Sequence, residues 1–283
     1  MTKILKLSLC FVFLYTAACE EGFDASVDKI LYPFIYSNVR ATVPAVPPEG
    51  IEQTYLSATA SNGEEMKIHT WYHHSNSETN QTLIYFHGNN ENIGMLKKKG
   101  AFKRFQSLGL NFVVIDYPGL GRSTSFPNEY NLTNAGLAAV DFALDEFEGT
   151  DFILWGRSLG AGVASQVVPH VQQYLTGFIL TSPWATFPKL AFERSRLANG
   201  ISNDWFRQNT YDSVASARQV RVPSLVQHGK KDSVIPFKFG KEVYEAFPKG
   251  VAEFHVYPKL NHRNIFQREK VWRATESFLR SLR

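Results

Sequence analysis

The sequence predicts an α/β fold, in which a mostly parallel central sheet is covered by helices on both faces. Short runs rich in apolar, β-branched or aromatic residues and flanked by helix breakers alternate with longer stretches of helical periodicity. This alternation favours a parallel sheet. The 283 residues suffice for one large domain or two small ones, and 44% of them are hydrophobic, which allows a sizeable core.

The expected elements follow from these runs in chain order. Two strands come first, separated by the turn Ser61-Asn62-Gly63. The predicted strands are 53–59, 67–73, 82–86, 112–115, 152–155, 178–180, 224–227 and 253–257. The predicted helices are 95–108, 132–147, 159–174, 239–247 and 265–282. The segment 182–213 interrupts the alternation, and we expect it to form a pair of helices that packs on the core and also serves as a short lid over the site.

Residues 1–18 predict an export signal. Lys3 and Lys6 precede an apolar stretch over 7–15, which is too short to span a membrane comfortably, and small residues follow it. The segment ending at Cys19 resembles the lipobox of bacterial lipoproteins, although Thr16 stands where that family usually has leucine. We therefore expect lipid attachment at Cys19 and a membrane-anchored lipoprotein of a bacterial cell envelope, with plain secretion as the alternative.

Residues 19–50 are expected to form a tether and a helix, and residues 51–283 to form the main domain. The net charge is +4 and the basic residues are dispersed, so no nucleic-acid partner is expected, and 97–99 is interpreted as a solvated helix face. Cys10 and Cys19 are the two cysteines. The main domain therefore has no disulfide, thiol nucleophile or zinc–thiolate site.

Ser158 lies between two glycines where a predicted strand meets a predicted helix, in the sequence GRSLG. A nucleophile on such a sharp turn has a strained backbone, and the flanking Gly156 and Gly160 remove side chains that would clash. The start of the helix also brings N–H groups and a positive dipole end towards developing negative charge. We predict that Ser158 is a nucleophile. The alternative is that the glycines serve helix packing and Ser158 caps the helix.

A serine hydroxyl needs a base that removes its proton and an acid that orients the base. Asp232 and His262 both follow Ser158 in the chain, and each lies beyond the carboxyl end of a predicted strand, where ligands of parallel sheets bind. We predict them as the acid and the base. Less suitable candidates, which fit packing, helix-capping or incomplete metal roles, are His228, His255, Asp204, Asp212, His73 and His74.

The oxyanion formed by attack on a carbonyl needs two hydrogen-bond donors. One predicted donor is the backbone N–H of Leu159, directly after the nucleophile. The other is the backbone N–H of Asn89, in the loop that follows strand 82–86. We expect His87 to orient this loop.

The motifs YFHGNNENIG, DYPGLGRS, GRSLGAG, YDS, HGKKDSVIP and NH occur in this order between residue 81 and the C-terminus. In this the chain resembles α/β-hydrolases of the serine aminopeptidase-like and depalmitoylase-like branch. The resemblance implies an α/β-hydrolase fold, a hydrolase that needs no metal or cofactor, and a structural role for Asp116. It also implies a triad of Ser158, Asp232 and His262, with Asn89 and Leu159 as oxyanion donors.

We expect this hydrolase to cleave carboxylic ester or thioester bonds of small acyl or lipid-like substrates through an acyl-enzyme, while the tether holds it at a membrane surface. Apolar walls for an acyl chain are expected from Trp184, Phe187, Phe192, Trp205 and Phe206. A solvated face, or contact with an anionic head group, is expected of Arg194, Arg196 and Arg207. Two alternatives stay open: an exported serine aminopeptidase, and a surface lipoprotein that uses the fold only for binding.

Overall fold

Residue 36 and residues 46–77, 80–194 and 203–283 are described in the computed structural model, apart from the side chains of residues 203 and 204. The predicted export signal, Cys19 and most of the predicted tether lie outside the described residues. The chain divides into two compact units, Met1–Asn38 and Val39–Arg283, and the second contains the elements below.

Eight strands of the described chain form one sheet. They are β1 (Glu52–Thr59), β2 (Glu65–His73), β3 (Gln81–Phe86), β4 (Asn111–Ile115), β5 (Asp151–Arg157), β6 (Leu175–Thr181), β7 (Ser224–Gly229) and β8 (Ala252–Tyr257). Their order across the sheet is β1-β2-β4-β3-β5-β6-β7-β8. Strand β2 is antiparallel to both of its neighbours, and the other pairs are parallel. The predicted mostly parallel sheet is confirmed.

Helices lie between successive strands from β3 to β8, and a last helix follows β8. They are α1 (Ile93–Lys98), α2 (Ala101–Ser107), α3 (Glu129–Glu146), α4 (Leu159–Val171), α5 (Phe187–Arg194), α6 (Asn203–Gln208), α7 (Ser213–Gln219), α8 (Phe237–Ala246) and α9 (Glu269–Ser281). Short 3-10 turns occupy Gln172–Tyr174 and Ile265–Gln267. Within the described ranges, no helix combines the length and apolar character that crossing a bilayer requires.

Three predicted helices differ in detail from the structure. The helix expected over 95–108 is two helices, α1 and α2, because Gly100 between them adopts the left-handed conformation with φ 74°. The helices expected over 159–174 and 265–282 each include a 3-10 turn, at the end of the first and at the start of the second. Tightened turns of this kind are common at helix ends.

Helices cover both faces of the sheet. On one face, side chains from α1, α2 and α9 pack against alternate residues of the central strands, including Leu83, Tyr85 and Trp155. Aromatic rings dominate this cluster, and the ring centroid of Trp155 lies 5.3 Å from that of Trp272. On the other face α3 packs against α4, and a Cβ at Gly136 would lie 3.1 Å from the ring of Phe86. This two-sided burial agrees with the prediction.

The segment 182–213, predicted as a lid, contains α5 and α6 and ends at the first residue of α7. Backbone hydrogen bonds tie its two ends together, from Phe187 N–H to the Thr210 carbonyl at 2.7 Å and from Ser213 N–H to the Ala185 carbonyl at 3.0 Å. Ion pairs from Lys189 to Glu242 and from Lys238 to Glu193 join α5 to α8.

Four of the five aromatic residues from which we expected apolar walls for an acyl chain do not provide them. Trp184, Phe187, Trp205 and Phe206 are buried, and Phe192 is exposed. The ring centroids of Phe187 and Trp205 lie 5.9 Å apart, and those of Trp205 and Phe206 lie 5.5 Å apart. Packing these rings on one another removes their apolar area from water, so they form the core of the segment itself.

Asp116, in the loop after β4, joins three parts of the domain. Its buried carboxylate accepts hydrogen bonds from His69 Nδ1 at 2.8 Å, Ile93 N–H at 2.8 Å and Arg122 N–H at 3.2 Å. These contacts connect β2, the start of α1 and the loop itself. Gly121 allows the loop to close over the carboxylate, because its φ is 54° and a Cβ there would lie 2.1 Å from Asp116 Oδ2.

We therefore predict that Gly121→Ala lowers the free energy of unfolding by about 3 kcal/mol or more, because it adds a steric conflict to an unfavourable backbone conformation. Gly250→Ala is the matched control. Gly250 has φ 81°, but a Cβ added there would meet no described atom within 4 Å, so this variant bears the backbone penalty alone, about 1–2 kcal/mol. Urea unfolding of both variants checks this, and equal losses would contradict it.

Candidate active site

Ser158 lies on the tight turn between β5 and α4, with φ 56° and ψ −118°. A positive φ is strained for a residue with a side chain. The N–H of Ser158 donates to the Thr181 carbonyl on β6 at 2.9 Å, which fixes the turn. The turn also needs close backbone approach: a Cβ on Gly156 would lie 2.2 Å from the Gly160 carbonyl oxygen, and one on Gly160 would lie 2.0 Å from the Phe86 carbonyl oxygen.

Hydrogen bonds join Ser158, His262 and Asp232 into one chain. The Ser158 hydroxyl donates to Nε2 of His262 at 2.9 Å, and Nδ1–H of His262 donates to Oδ2 of Asp232 at 2.7 Å. The His262 side chain is 12% exposed, whereas the Asp232 carboxylate is fully buried. The three residues predicted from the sequence thus meet at the carboxyl edge of the parallel strands, and the arrangement can pass a proton from a serine hydroxyl to an imidazole.

Asp232 is held as an anion by the loop that follows β7. Its other oxygen, Oδ1, accepts the N–H groups of Val234 at 2.9 Å and Ile235 at 2.7 Å. Burial by itself favours a raised pKa for Asp232, but hydrogen bonds from His228, His262 and the Ile235 N–H outweigh it and lower the pKa well below the ordinary value. The carboxylate therefore stays charged and can orient the imidazole.

The loop after β8 fixes His262 through its two neighbouring asparagines. Asn261 Oδ1 accepts the N–H groups of Arg263 and Asn264, both at 3.0 Å, and Asn264 Oδ1 accepts the N–H of Asn261 at 2.9 Å. These reciprocal side-chain bonds close a tight turn around His262. The N–H of Lys231 also donates to the Leu260 carbonyl at 2.9 Å, so the loops that carry the acid and the base are joined.

The two predicted oxyanion donors belong to segments that adjoin Ser158. Leu159 is the first residue of α4, so the helix supplies no carbonyl acceptor for its N–H. Asn89 lies in the loop between β3 and α1, and its side-chain oxygen accepts the N–H of Asn90 at 3.0 Å. A Cβ on the preceding residue, Gly88, would lie 3.5 Å from the Cβ of Ser158, which brings this loop next to the nucleophile.

His87 is buried at the start of the same loop. Its Nδ1 lies 2.9 Å from the Gly88 carbonyl, and its ring centroid lies 4.2 Å from that of Tyr117. The Tyr117 hydroxyl donates to the His87 carbonyl at 2.8 Å. Burial lowers the pKa of His87, so the imidazole is neutral at pH 7. These contacts suit the expected role of orienting the loop.

Sequence reasoning missed Glu91 and Arg157, two buried charged residues beside the nucleophile. Arg157 Nη1 donates to Glu91 Oε2 at 2.8 Å, and the side chains are 9% and 3% exposed. A signal for them does exist, because Arg157 ends an apolar strand directly before Ser158 and Glu91 follows the predicted oxyanion donor within the same motif. A charge at such a position is rarely buried without a partner.

The remaining acidic and histidine candidates whose side chains the structure describes have other roles. His228 is buried, with Nε2 3.0 Å from the Ile235 carbonyl and 3.5 Å from Asp232 Oδ2. Asp212 caps α7 by accepting the Ala215 N–H at 2.8 Å, whereas the side chain of Asp204 is outside the described set. His73 bonds the Gly50 carbonyl, His74 lies 2.8 Å from Glu146, and His255 lies 3.1 Å from Glu253. The described part of the chain contains no group of three or more His, Cys, Asp or Glu residues suited to a metal ion.

Comparison with known proteins gives related sequences. Residues 77–211, short of half the chain, match a family model described as serine aminopeptidase, S33. Lysophosphatidylserine lipase ABHD12 of Macaca fascicularis is 26% identical over 237 residues, which cover 75% of this chain and 59% of that protein. The same lipase of Danio rerio is 28% identical over 190 residues, 62% of this chain and 49% of that protein. The chain thus spans about half to three fifths of the length of these curated relatives.

Solved structures share the fold. Esterase Pf2001 of Pyrococcus furiosus aligns with a TM-score of 0.68 at 17% identity, covering 87% of this chain and 97% of the esterase. A thermophilic esterase from Thermogutta terrifontis aligns with a TM-score of 0.60 at 18% identity, covering 82% and 99%. The mouse alpha/beta hydrolase domain-containing protein 10 aligns with a TM-score of 0.57 at 15% identity, covering 82% and 98%. These likenesses confirm the predicted α/β-hydrolase fold.

Proposed function

We propose that this chain, a member of the α/β-hydrolase superfamily, is a serine hydrolase that cleaves carboxylic ester or thioester bonds through an acyl-enzyme. The observation that carries the proposal is the continuous hydrogen-bonded chain from Ser158 through His262 to Asp232. It combines a nucleophile, a base and a buried anion in the order that acyl transfer needs.

The proposed reaction begins when Ser158 Oγ attacks the carbonyl carbon and its proton passes to Nε2 of His262. Asp232 stabilises the imidazolium through Nδ1–H, and the N–H groups of Leu159 and Asn89 bind the oxyanion. The tetrahedral intermediate collapses when the imidazolium protonates the leaving alkoxide or thiolate. Water then attacks the acyl-enzyme with the same base, so that a carboxylic acid is released and Ser158 is restored.

Ester cleavage is favoured over peptide cleavage by the relatives. The curated relatives at 26% and 28% identity are called lysophosphatidylserine lipases, and two of the structural neighbours are called esterases. The matched family model is described as serine aminopeptidase, so an exported aminopeptidase is the second candidate. We propose acyl or lipid-like esters as the substrate class of this chain.

We expect Ser158→Ala and His262→Ala to lower kcat by about 10⁴-fold or more, and Asp232→Asn by about 10³- to 10⁴-fold, with the fold retained. Hydrolysis of p-nitrophenyl butyrate measures kcat, and labelling by a fluorophosphonate probe measures the reactivity of Ser158. Ser165→Ala is the matched control for Ser158→Ala, because Ser165 Oγ donates to the Ala161 carbonyl within α4. His255→Ala is the matched control for His262→Ala, because His255 pairs with Glu253. Residual activity of Ser158→Ala within tenfold of wild type would refute the assignment, and a folded but unlabelled wild type would favour the binding-only lipoprotein.

The substrate class is tested by comparing p-nitrophenyl esters from acetate to octanoate with amino-acid p-nitroanilides. We expect kcat/KM for the esters to rise with chain length, by up to about fourfold for each methylene that becomes buried in the transition state. Anilides are expected to react at least a hundredfold more slowly. Cleavage of the anilides alone would instead identify an aminopeptidase.

We also propose that Cys19 is acylated and holds the protein at a membrane surface of a bacterial cell envelope. The support is the order of charges, apolar residues and small residues in 1–18 that ends at this cysteine. A diacylated or triacylated residue anchors a protein stably without a spanning helix.

Expression of the full chain in bacteria with an alkyne analogue of palmitate tests the anchor. We expect wild type and Cys10→Ala to incorporate the label and to sediment with membranes, because Cys10 lies inside the predicted export signal. Cys19→Ala is expected to lose the label. Undiminished labelling of Cys19→Ala, or none in wild type, contradicts the anchor while leaving the proposed hydrolase untouched.

A further inference from the structure

A buried ion pair connects three segments of the candidate active site. Glu91 Oε2 accepts Arg157 Nη1 at 2.8 Å and also accepts the N–H of Gly88, in the predicted oxyanion loop, at 2.9 Å. Arg157 Nη2 donates to the carbonyl of His262 at 3.3 Å. The pair therefore links the oxyanion loop, to which Glu91 belongs, to Arg157, the residue before the nucleophile, and to the backbone of the predicted base.

The packing around this pair is tight on the side of the nucleophile. A Cβ on Gly88 would lie 3.1 Å from Arg157 Nη1, 3.2 Å from Glu91 Oε2 and 3.5 Å from the Cβ of Ser158. The guanidinium carbon of Arg157 lies 5.3 Å above the ring of Phe266, which limits its movement on the other side. A shift of the ion pair thus displaces the oxyanion loop or the serine.

Both groups remain charged over a wide pH range. Burial opposes ionisation of Glu91, but Arg157 and Lys99 outweigh it and lower the pKa of Glu91 to about 2. Burial likewise opposes the charge of Arg157, and Glu91 outweighs it, so the pKa of Arg157 lies above its ordinary value. A buried ion pair adds little net stability compared with apolar residues of the same volume. Stability is therefore a weak explanation for its presence here.

We propose that Glu91 and Arg157 are positioning residues that hold the oxyanion loop in register with Ser158 and His262 during acyl transfer. This inference rests on the proposed function. The pair acts when charge develops on the carbonyl oxygen, because a displacement of the loop by a fraction of an ångström lengthens the hydrogen bonds to that oxygen. Substrate binding in the ground state depends much less on the position of this loop. Loss of the ion pair therefore lowers kcat and leaves KM almost unchanged.

The distinguishing experiment separates positioning from fold stability. Glu91→Leu leaves the buried guanidinium without a carboxylate, and Arg157→Met leaves Glu91 with only the partly exposed Lys99, so both single variants are expected to lose thermal stability. The double variant removes both charges and is expected to regain an unfolding midpoint within about 5 °C of wild type. Its kcat with p-nitrophenyl butyrate is nevertheless expected to stay about 10²-fold below wild type, with KM changed by less than about threefold.

Two further variants serve as rescue and control. Arg157→Lys keeps the charge but loses the planar fork, and it is expected to recover kcat about tenfold over Arg157→Met. Lys99 donates to the other oxygen of Glu91 at 2.7 Å, but its side chain is 41% exposed, and it is not a partner in the bonds from Gly88 to Glu91 or from Arg157 to His262. Lys99→Met is therefore the matched control and is expected to keep kcat within about twofold of wild type.

The rate of fluorophosphonate labelling at Ser158 reports on the same geometry without an ester substrate, and it is expected to fall in parallel with kcat. If the double variant regains kcat together with stability, the pair is structural and the inference is wrong. If KM rises while kcat is kept, the pair acts in binding and the inference is also wrong. A wild type that is neither labelled nor active refutes the proposed function and the inference together, whereas labelled but ester-inactive wild type refutes only the substrate class.

Discussion

The close approach of the α4 N-terminus to strands β3 and β5 is the constraint on which the candidate site depends. A Cβ atom on Gly156 would lie 2.2 Å from the Gly160 carbonyl oxygen, and one on Gly160 would lie 2.0 Å from the Phe86 carbonyl oxygen. Both distances are far shorter than a van der Waals contact. Without side chains at these two positions the helix starts directly at the sheet edge, and Ser158 is forced into its positive-φ turn. The position of the nucleophile is therefore a result of backbone packing, and the loops that carry Asp232, His262 and Asn89 are arranged around it.

Buried polar groups organise those loops, and each of the main ones has several partners. Asp116 joins β2 to the start of α1, Asp232 accepts two backbone N–H groups as well as His262, and Glu91 bonds Arg157, Lys99 and the Gly88 N–H. A buried carboxylate without such partners is strongly destabilising, so each one favours the arrangement of the surrounding segments that keeps its partners in place. The apolar sheet gives the domain its stability, and these carboxylates give the edge of the sheet its geometry.

The sequence was sufficient for the fold class, for all eight strands and for the three residues that meet at the sheet edge. Apolar periodicity and the spacing of glycines are local signals, and they are enough to predict the strands, the helices and the turn at Ser158. The order of Ser158, Asp232 and His262 along the chain then reduces the number of candidates for the acid and the base. The pairing of Glu91 with Arg157 was missed because their contact spans 66 residues and depends on packing that no local pattern encodes. The aromatic residues of 182–213 were misjudged for the same reason, since composition does not tell whether a ring faces a ligand or another ring. The end of α1 at Gly100 could have been predicted, because glycine is a common helix breaker.

The reciprocal asparagine bonds around His262 have a thermodynamic consequence. The imidazole is flanked by a turn that is already closed, and its two nitrogens already face the serine hydroxyl and the carboxylate. The conformational entropy lost in aligning these groups is therefore part of the free energy of folding. Binding of a ligand at this edge needs no further ordering of these three side chains, so their alignment adds no entropic cost to binding.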